Sequence, residues 1–202
     1  MDADSDSLRR RKKRRTFTTA SRAAVELVAE RGIQAVKVDD ICERAGISRS
    51  TFFRYFDSKE SCFVAGVNQG RLDAVVAALK ARPASEEAFT ALCETFLSLS
   101  GDWRRQRGFL HLEARIRTEV PAVQAHASAE YLVWENALAD ALHPRLPGDA
   151  DGGVARRLVA GIVLCAVRLA TEQWLKDGAG SSPEEKFAQA FAQARALLGR
   201  GA

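Results

Sequence analysis

The 202-residue chain has no apolar run long enough to cross a bilayer. Its longest, Leu158 to Val167, ends after ten residues at Arg168, against the roughly 20 that a spanning helix needs. No apolar stretch opens it either: Met1 to Ser7 is acidic and Leu8 to Arg15 is nearly all cationic, so neither a leader segment nor membrane attachment is expected. The four cysteines include no CxxC pair. Cys42, Cys93 and Cys165 fall on apolar faces of predicted helices, which points to buried free thiols in a reducing, cytoplasmic setting. The three histidines, at 111, 126 and 143, lack metal-site spacing, and no metal or cofactor is expected. No alternating strand pattern with hairpin turns occurs. Nor is there a convincing carboxylate pair or Ser-His-Asp arrangement, and Gly152-Gly153 lacks the Lys-Ser/Thr that would follow in a phosphate loop. His111 and Glu113, two residues apart, would not share a helix face. No catalytic residue is assigned.

What is present is a soluble composition, 47% apolar and 28% charged, with an uneven charge. The formal net charge is +4. Residues 1–56 carry 13 basic and 8 acidic side chains, whereas residues 57–202 carry 17 and 18. From Arg9 to Phe56 the balance is 13 against 5, net +8. A polyanion-binding module attached to a near-neutral body is implied.

Helical periodicity runs through the chain and predicts an all-α protein of about nine helices. The first covers Phe17 to Arg31, capped by Thr18 or Thr19 and ended by Gly32. Short helices follow over Val38–Ala45 and from Ser48 to about Arg54, then a long one over Lys59–Ala81 ended by Arg82-Pro83. Further helices span Ser85 to Leu99, Trp103 to Arg117, and Pro121 to about Leu142. After a Pro- and Gly-rich loop over Pro144–Gly153, an apolar helix runs from Val154 to about Asp177, and Pro183 opens the last. The division expected is a disordered basic arm over 1–16, a DNA-binding domain over 17–56 and a helical body over 57–202.

Val38–Ala45 and Ser48–Arg54, joined by Ala45-Gly46-Ile47, match a helix-turn-helix. Ile41, Ile47, Phe52 and Phe56 can form its core. The opposite face of the third helix offers Ser48, Arg49, Ser50, Thr51 and Arg54: short hydroxyls that permit close approach to DNA, and guanidiniums that reach guanine edges or phosphates. A polar solvated face is the plain alternative. Ahead of it the block Arg9–Arg15, Arg14 and Arg15 included, can lie in the minor groove or along phosphates, or serve as a solubilising tail. Thr18 is counted with the DNA-facing candidates.

Residues 17–63 resemble the DNA-binding region of the TetR family of bacterial one-component transcriptional regulators. The likeness rests on Ala24…Leu27…Ala29-Glu30-Arg31-Gly32, on Val38-Asp39-Asp40-Ile41, on Ala45-Gly46-Ile47-Ser48, and on Phe52-Phe53-Arg54-Tyr55-Phe56-Asp57-Ser58-Lys59-Glu60. The resemblance implies an all-helical homodimer with an N-terminal reader and a C-terminal domain for ligand binding and dimerisation. It places Tyr55 and Lys59 beside DNA phosphates. Phe53 stands where many relatives have Tyr, so a hydroxyl contact sometimes made there is absent.

In the body, Leu158, Ile162, Cys165, Val167, Leu169 and Trp174 make the penultimate helix apolar on more than one face, and Phe187, Phe191, Ala194 and Leu198 stripe the last. By resemblance these two helices join their copies in a second subunit. An effector pocket is sought among Phe89, Phe96, Trp103, Phe109, Leu112, Ile116, Tyr131, Trp134 and Leu138, with His111 as an orienting polar group, although core packing also accounts for such residues. An apolar or aromatic effector is implied. The expectation is a repressor that binds a palindromic operator in double-stranded DNA as a homodimer and is released by a small molecule. Alternatives are an activator or ligand-independent regulator of the same fold, and a helical enzyme or carrier that binds nucleic acid incidentally.

Overall fold

The computed structural model describes residues 2–147, 153–177 and 180–199, and their side chains except those of 2–10 and 69. The helices are α1 (Asp2–Arg31), α2 (Val38–Ala45), α3 (Arg49–Phe53), α4 (Lys59–Ala81), α5 (Ala88–Ser98), α6 (Ser100–Arg105), α7 (Arg107–Glu119), α8 (Pro121–Ala141), α9 (Val154–Lys176) and α10 (Pro183–Gly199). The all-α expectation holds among the described residues. Residues 148–152 of the expected loop at Pro144–Gly153 lie outside them.

Four local expectations are corrected. Helix α1 does not start at Phe17: it runs unbroken from Asp2, so residues 2–16 are helical rather than a disordered arm. Arginine and lysine are good helix formers. Thr18 and Thr19 are therefore interior positions, and the Thr19 hydroxyl donates to the Arg15 carbonyl (2.9 Å) instead of capping. Helix α5 starts at Ala88, capped not by Ser85 but by the Glu87 carboxylate, which accepts from the Phe89 and Thr90 N–H groups at 2.8 Å each. The helix expected over Trp103–Arg117 is two, because Gln106 leaves helical torsions (φ −94°, ψ 10°) while its N–H closes α6 on the Asp102 and Trp103 carbonyls. Finally, Cys165 is exposed; Cys42, Cys62 and Cys93 are the buried thiols. Burial pushes Cys62 and Cys93 up to about 12, which leaves both as inert packing groups at neutral pH.

The chain divides into two compact units, residues 1–71 with 115–130, and residues 72–114 with 131–202. In the first, Ala20, Ala24, Leu27 and Val28 of α1 are buried with Ile41 and Cys42 of α2, Phe52 of α3, and Cys62, Phe63 and Val64 of α4. Phe17 stacks on Phe56 (ring centroids 4.8 Å) and Phe52 tilts against Phe56 (5.3 Å). Of the four residues expected in the helix-turn-helix core, Ile41, Phe52 and Phe56 are buried and Ile47 is half-buried.

The second unit is built on α5, α9 and α10, with Phe89, Leu92, Phe96, Trp134, Leu138, Leu142, Val163, Phe187 and Phe191 in one apolar cluster. Trp103 meets Phe187 edge-on at 5.7 Å. Trp174 is fully buried: its indole N–H donates to the Ser181 carbonyl (3.1 Å) and the Arg107 guanidinium lies 4.7 Å from its ring centre.

Candidate nucleic-acid interface

The reading element is assembled by local chemistry. The Lys37 backbone N–H donates to Asp40 Oδ2 (2.8 Å) at the start of α2, where Asp39 and Asp40 face the positive helix end. Gly46 then takes the left-handed conformation (φ 64°, ψ 40°), which a side chain would disfavour, and the chain turns into α3. Ser48 caps α3, its Oγ accepting from the Thr51 N–H at 3.1 Å. Two carboxylate contacts fasten α2. Arg44 donates to both Glu30 oxygens (2.9 and 3.0 Å), tying α2 to α1, and this hydrogen-bonded guanidinium holds the Glu30 carboxyl below its ordinary value.

Helix α3 is amphipathic on a small scale. Phe52 is fully buried, while Ser48, Arg49, Ser50 and Arg54 are exposed and Thr51 is half-buried. The three hydroxyls form one cluster, with Ser48 Oγ 2.9 Å from Ser50 Oγ and 3.0 Å from Thr51 Oγ1. Ser48 thus spends its hydroxyl on the cap and its neighbours. Arg49 extends over the Phe53 ring (5.5 Å to its centre) and donates to Asp39 Oδ1 at 2.6 Å, so the guanidinium is held above the helix face. Phe53, 48% exposed, is a surface group the sequence-derived site left out. Its missing hydroxyl drew attention; its exposure becomes visible only once Phe52 takes the inward position. An exposed ring there suits contact with a thymine methyl.

Tyr55 is half-buried, with the Arg54 guanidinium 5.3 Å from its ring centre. It shares a cleft of about 290 Å³ with Lys13, Arg14 and Phe17 of α1. Lys13, part of the basic block Arg9–Arg15, thus joins Arg14 at this cleft. Arg14, Arg15 and Thr18 are exposed on α1. Lys59 sits differently from a lysine projecting into solvent: its Nζ donates to the Ile33 carbonyl (2.7 Å) and the Val36 carbonyl (2.8 Å), bracing the α1–α2 connection from the first turn of α4. Behind it, the Ser58 hydroxyl accepts from the Ser61 N–H (3.1 Å) and lies 3.5 Å from His126 Nε2 of α8.

Of the residues sought for an effector pocket, Phe89, Phe96, Trp103, Tyr131, Trp134 and Leu138 come together in the apolar cluster of the second unit. Phe89, Phe96, Trp134 and Leu138 are buried in the apolar cluster, and Trp103 packs against it. His111 is exposed, Phe109 and Leu112 are half-buried, and Ile116 is buried within the first unit. Tyr131 does border a cavity of about 170 Å³, together with Glu135, Gly161, Leu164, Cys165 and Arg168. Those walls carry both charges. Among the described residues no group of three or more His, Cys, Asp or Glu could hold a metal ion, and no helix is long and apolar enough to cross a membrane.

Comparison with known proteins places this geometry. Residues 21–65 match the family described as bacterial regulatory proteins, tetR family, and residues 74–201 match the family described as MftR C-terminal domain. The chain is 32% identical over 181 residues, 85% of its own length and 87% of the relative's, to a Mycobacterium tuberculosis protein carrying the name mycofactocin biosynthesis transcriptional regulator MftR. It is 29% identical over 173 residues to the HTH-type transcriptional regulator TcmR of Streptomyces glaucescens, covering 83% of this chain and 76% of that one. A TetR transcriptional regulator from Rhodococcus sp. RHA1 shares the fold, with TM-score 0.60 at 19% identity over 93% of this chain and 97% of that one. The matched proteins are transcriptional regulators rather than enzymes. With one family match lying on the helix-turn-helix and the other over most of the remaining chain, the protein belongs to the TetR family of DNA-binding bacterial transcriptional regulators.

Proposed function

We propose that the protein is a repressor that reads a palindromic operator as a homodimer and leaves it when a small molecule binds the second unit. The observation that carries the DNA half of this reading is the two-sidedness of α3: Phe52 is wholly inside while Arg49, Ser50 and Arg54 are outside. In this reading Arg49 and Thr51 contact base edges, Ser50 and Arg54 contact bases or phosphates, and Ser48 positions the helix as its cap. Tyr55, Arg14, Arg15 and Thr18 lie along the backbone. Lys59 acts mainly by bracing the reader, and its third ammonium proton, with Glu60 Oε1 4.0 Å away, is the one a phosphate would take.

The homodimer is supported by apolar side chains that the single chain leaves in water. On α9 these are Val154, Leu158 and Leu169, and on α10 Leu197 and Leu198, each about half exposed or more. A twofold pair through these helices would set two α3 elements about 34–36 Å apart, one turn of DNA. For the effector, the cavity bordered by Tyr131, Glu135, Gly161, Leu164, Cys165 and Arg168 is a better candidate than the residues now seen in the core. Its mixed lining favours a ligand with a polar or charged group beside an apolar part. Release requires that the ligand prefer the DNA-free state, and α4, which gives residues 59–71 to one unit and 72–81 to the other, is the element we expect to carry that preference.

The test is selection of bound sites from random duplex DNA with the purified protein, followed by a reporter driven by the selected site. An inverted repeat whose reporter is silenced by the protein is the expected result. Selection of no sequence would refute the reader, and a reporter that rises would establish the activator alternative.

A further inference from the structure

We propose that the N-terminal extension of α1 is a rigid basic prong whose residues Lys13 and Arg14, with Tyr55, clamp a phosphate of the DNA backbone. This rests on the reading of α3 as the major-groove helix and adds a second contact to it. The extension precedes residues 21–65, the stretch matched by the TetR pattern, so it is a feature of this chain rather than of that pattern.

Three observations converge. First, α1 is one helix from Asp2 to Arg31. An α-helix with its side chains is about 10–12 Å across, whereas the minor groove is about 6 Å wide, so the extension cannot enter the groove as an extended arm does. Second, Arg11, Lys12, Lys13, Arg14 and Arg15 are all exposed. Successive residues turn about 100° around a helix, so cations point in every direction and any side that meets DNA is positive, with Arg11, Arg14 and Arg15 sharing one face. Third, the base of the prong is fixed: Phe17 stacks on Phe56 at 4.8 Å, and the cleft of about 290 Å³ that this creates is bordered by Lys13, Arg14, Phe17 and Tyr55. The walls of the cleft are almost wholly apolar, so the aliphatic stems of Lys13 and Arg14 and the Phe17 and Tyr55 rings form them, and the two cationic ends meet a phosphate at the rim. Tyr55 follows directly on α3, so a phosphate held there adjoins the base pairs that α3 reads.

The experiment measures duplex binding by fluorescence anisotropy from 50 to 300 mM salt, on a site selected as above and on a random duplex. The proteins are wild type, K13Q/R14Q, T16P and R49A, each checked for folding by circular dichroism. T16P keeps every cation but breaks α1 below the prong, and proline is tolerated as the first residue of the helix that remains. Each phosphate neutralised contributes about 0.9 to the salt slope, so K13Q/R14Q, which releases the one clamped phosphate, should lower it by about 0.9 per bound subunit on both duplexes. T16P should fall close to K13Q/R14Q, and exchanging A·T for G·C pairs in the flanks should change nothing. R49A should lose preference for the selected site and keep its slope. A wild-type slope in K13Q/R14Q, wild-type binding in T16P, or a dependence on flank sequence would each overturn the clamp. Should selection yield no site, the α3 reading fails alone, and the K13Q/R14Q slope on random duplex still decides the clamp.

Discussion

The Lys59 ammonium donates to the Ile33 carbonyl at 2.7 Å, and in doing so it ties the first turn of α4 to the chain between α1 and α2. The same nitrogen reaches the Val36 carbonyl at 2.8 Å, so two backbone acceptors are satisfied by one side chain that is only 23% exposed. Charge-assisted hydrogen bonds of this kind contribute about 1.5–3 kcal/mol each. Lys59→Ala, which removes both, is therefore expected to lower the melting temperature of the DNA-free protein, a destabilisation of about 3 kcal/mol or more. A lysine that served only a phosphate would leave the melt unchanged and reduce only the salt slope of binding; thermal denaturation without DNA separates the two.

Gly66 and Gly70 lie one turn apart on α4 and should respond oppositely to alanine. A Cβ at Gly66 would stand 2.3 Å from the Ser21 carbonyl oxygen and 2.7 Å from Val25 Cγ2 on α1, and the first of these is backbone that cannot rotate away. Gly66→Ala should cost about 1–3 kcal/mol, through separation of α1 from α4. At Gly70 nothing lies within 4 Å, so Gly70→Ala should gain up to about 1 kcal/mol from helix propensity. Chemical denaturation of the two variants checks both signs.

If α9 and α10 form the subunit contact, a charge at Leu169 will break it. Leu169 is 50% exposed in the single chain and would be covered in the dimer. Burial of an unpaired carboxylate costs about 3 kcal/mol or more, roughly a hundredfold in Kd. Leu169→Glu should sediment as a monomer at micromolar concentration with its helical content intact, while wild type sediments as a dimer. Identical sedimentation of the two would place the contact elsewhere.

Acid should unfold the protein. The Glu30 carboxyl is held down by Arg44, Glu86 by Arg82 (2.6 Å for both contacts), and Asp177 by Lys186 and then Gln173. Burial pushes Glu87 up, but hydrogen bonds from the Thr90 hydroxyl and the Phe89 and Thr90 N–H groups outweigh it and leave this carboxyl low as well. A carboxyl whose folded value lies below its unfolded one contributes stability above the unfolded value, about 4, and loses it as pH falls through the folded value. Glu130, raised by burial against the pull of His126, has the opposite sign and offsets one of the four. Melting temperature should thus be level near neutrality and fall below about pH 4.5. The Glu86→Gln and Glu30→Gln variants should show a shallower fall than wild type across the same range.

Much of the reader was legible because its signals are local. Gly46 between two short amphipathic runs, Ser48 before Arg49, and Phe52 four residues before Phe56 specify turn, cap and inward face within a few residues of chain. Of the cavity, only Tyr131 was legible. Phe89, Phe96 and Trp134 have the composition of a pocket wall and are buried in the core, whereas Glu135, Gly161 and Arg168, which do border the cavity, carry no pattern that distinguishes them from surface residues.

The sequence by itself determined the helical class, the turn at Gly46, the outward set on α3 and the concentration of net positive charge in residues 9–56, since each follows from spacing, propensity or counting. Only the tertiary structure decided what the cations do. Seven consecutive charges read as a self-repelling, disordered tail, yet α1 carries them as a helix because the packed turns from Phe17 onward supply a nucleus that the block extends. It likewise assigned Lys59 to two carbonyls 23 and 26 residues back in the chain, and set Lys13 and Arg14 beside Tyr55. Contacts between residues so far apart depend on how helices cross, and no local pattern in the chain encodes that crossing.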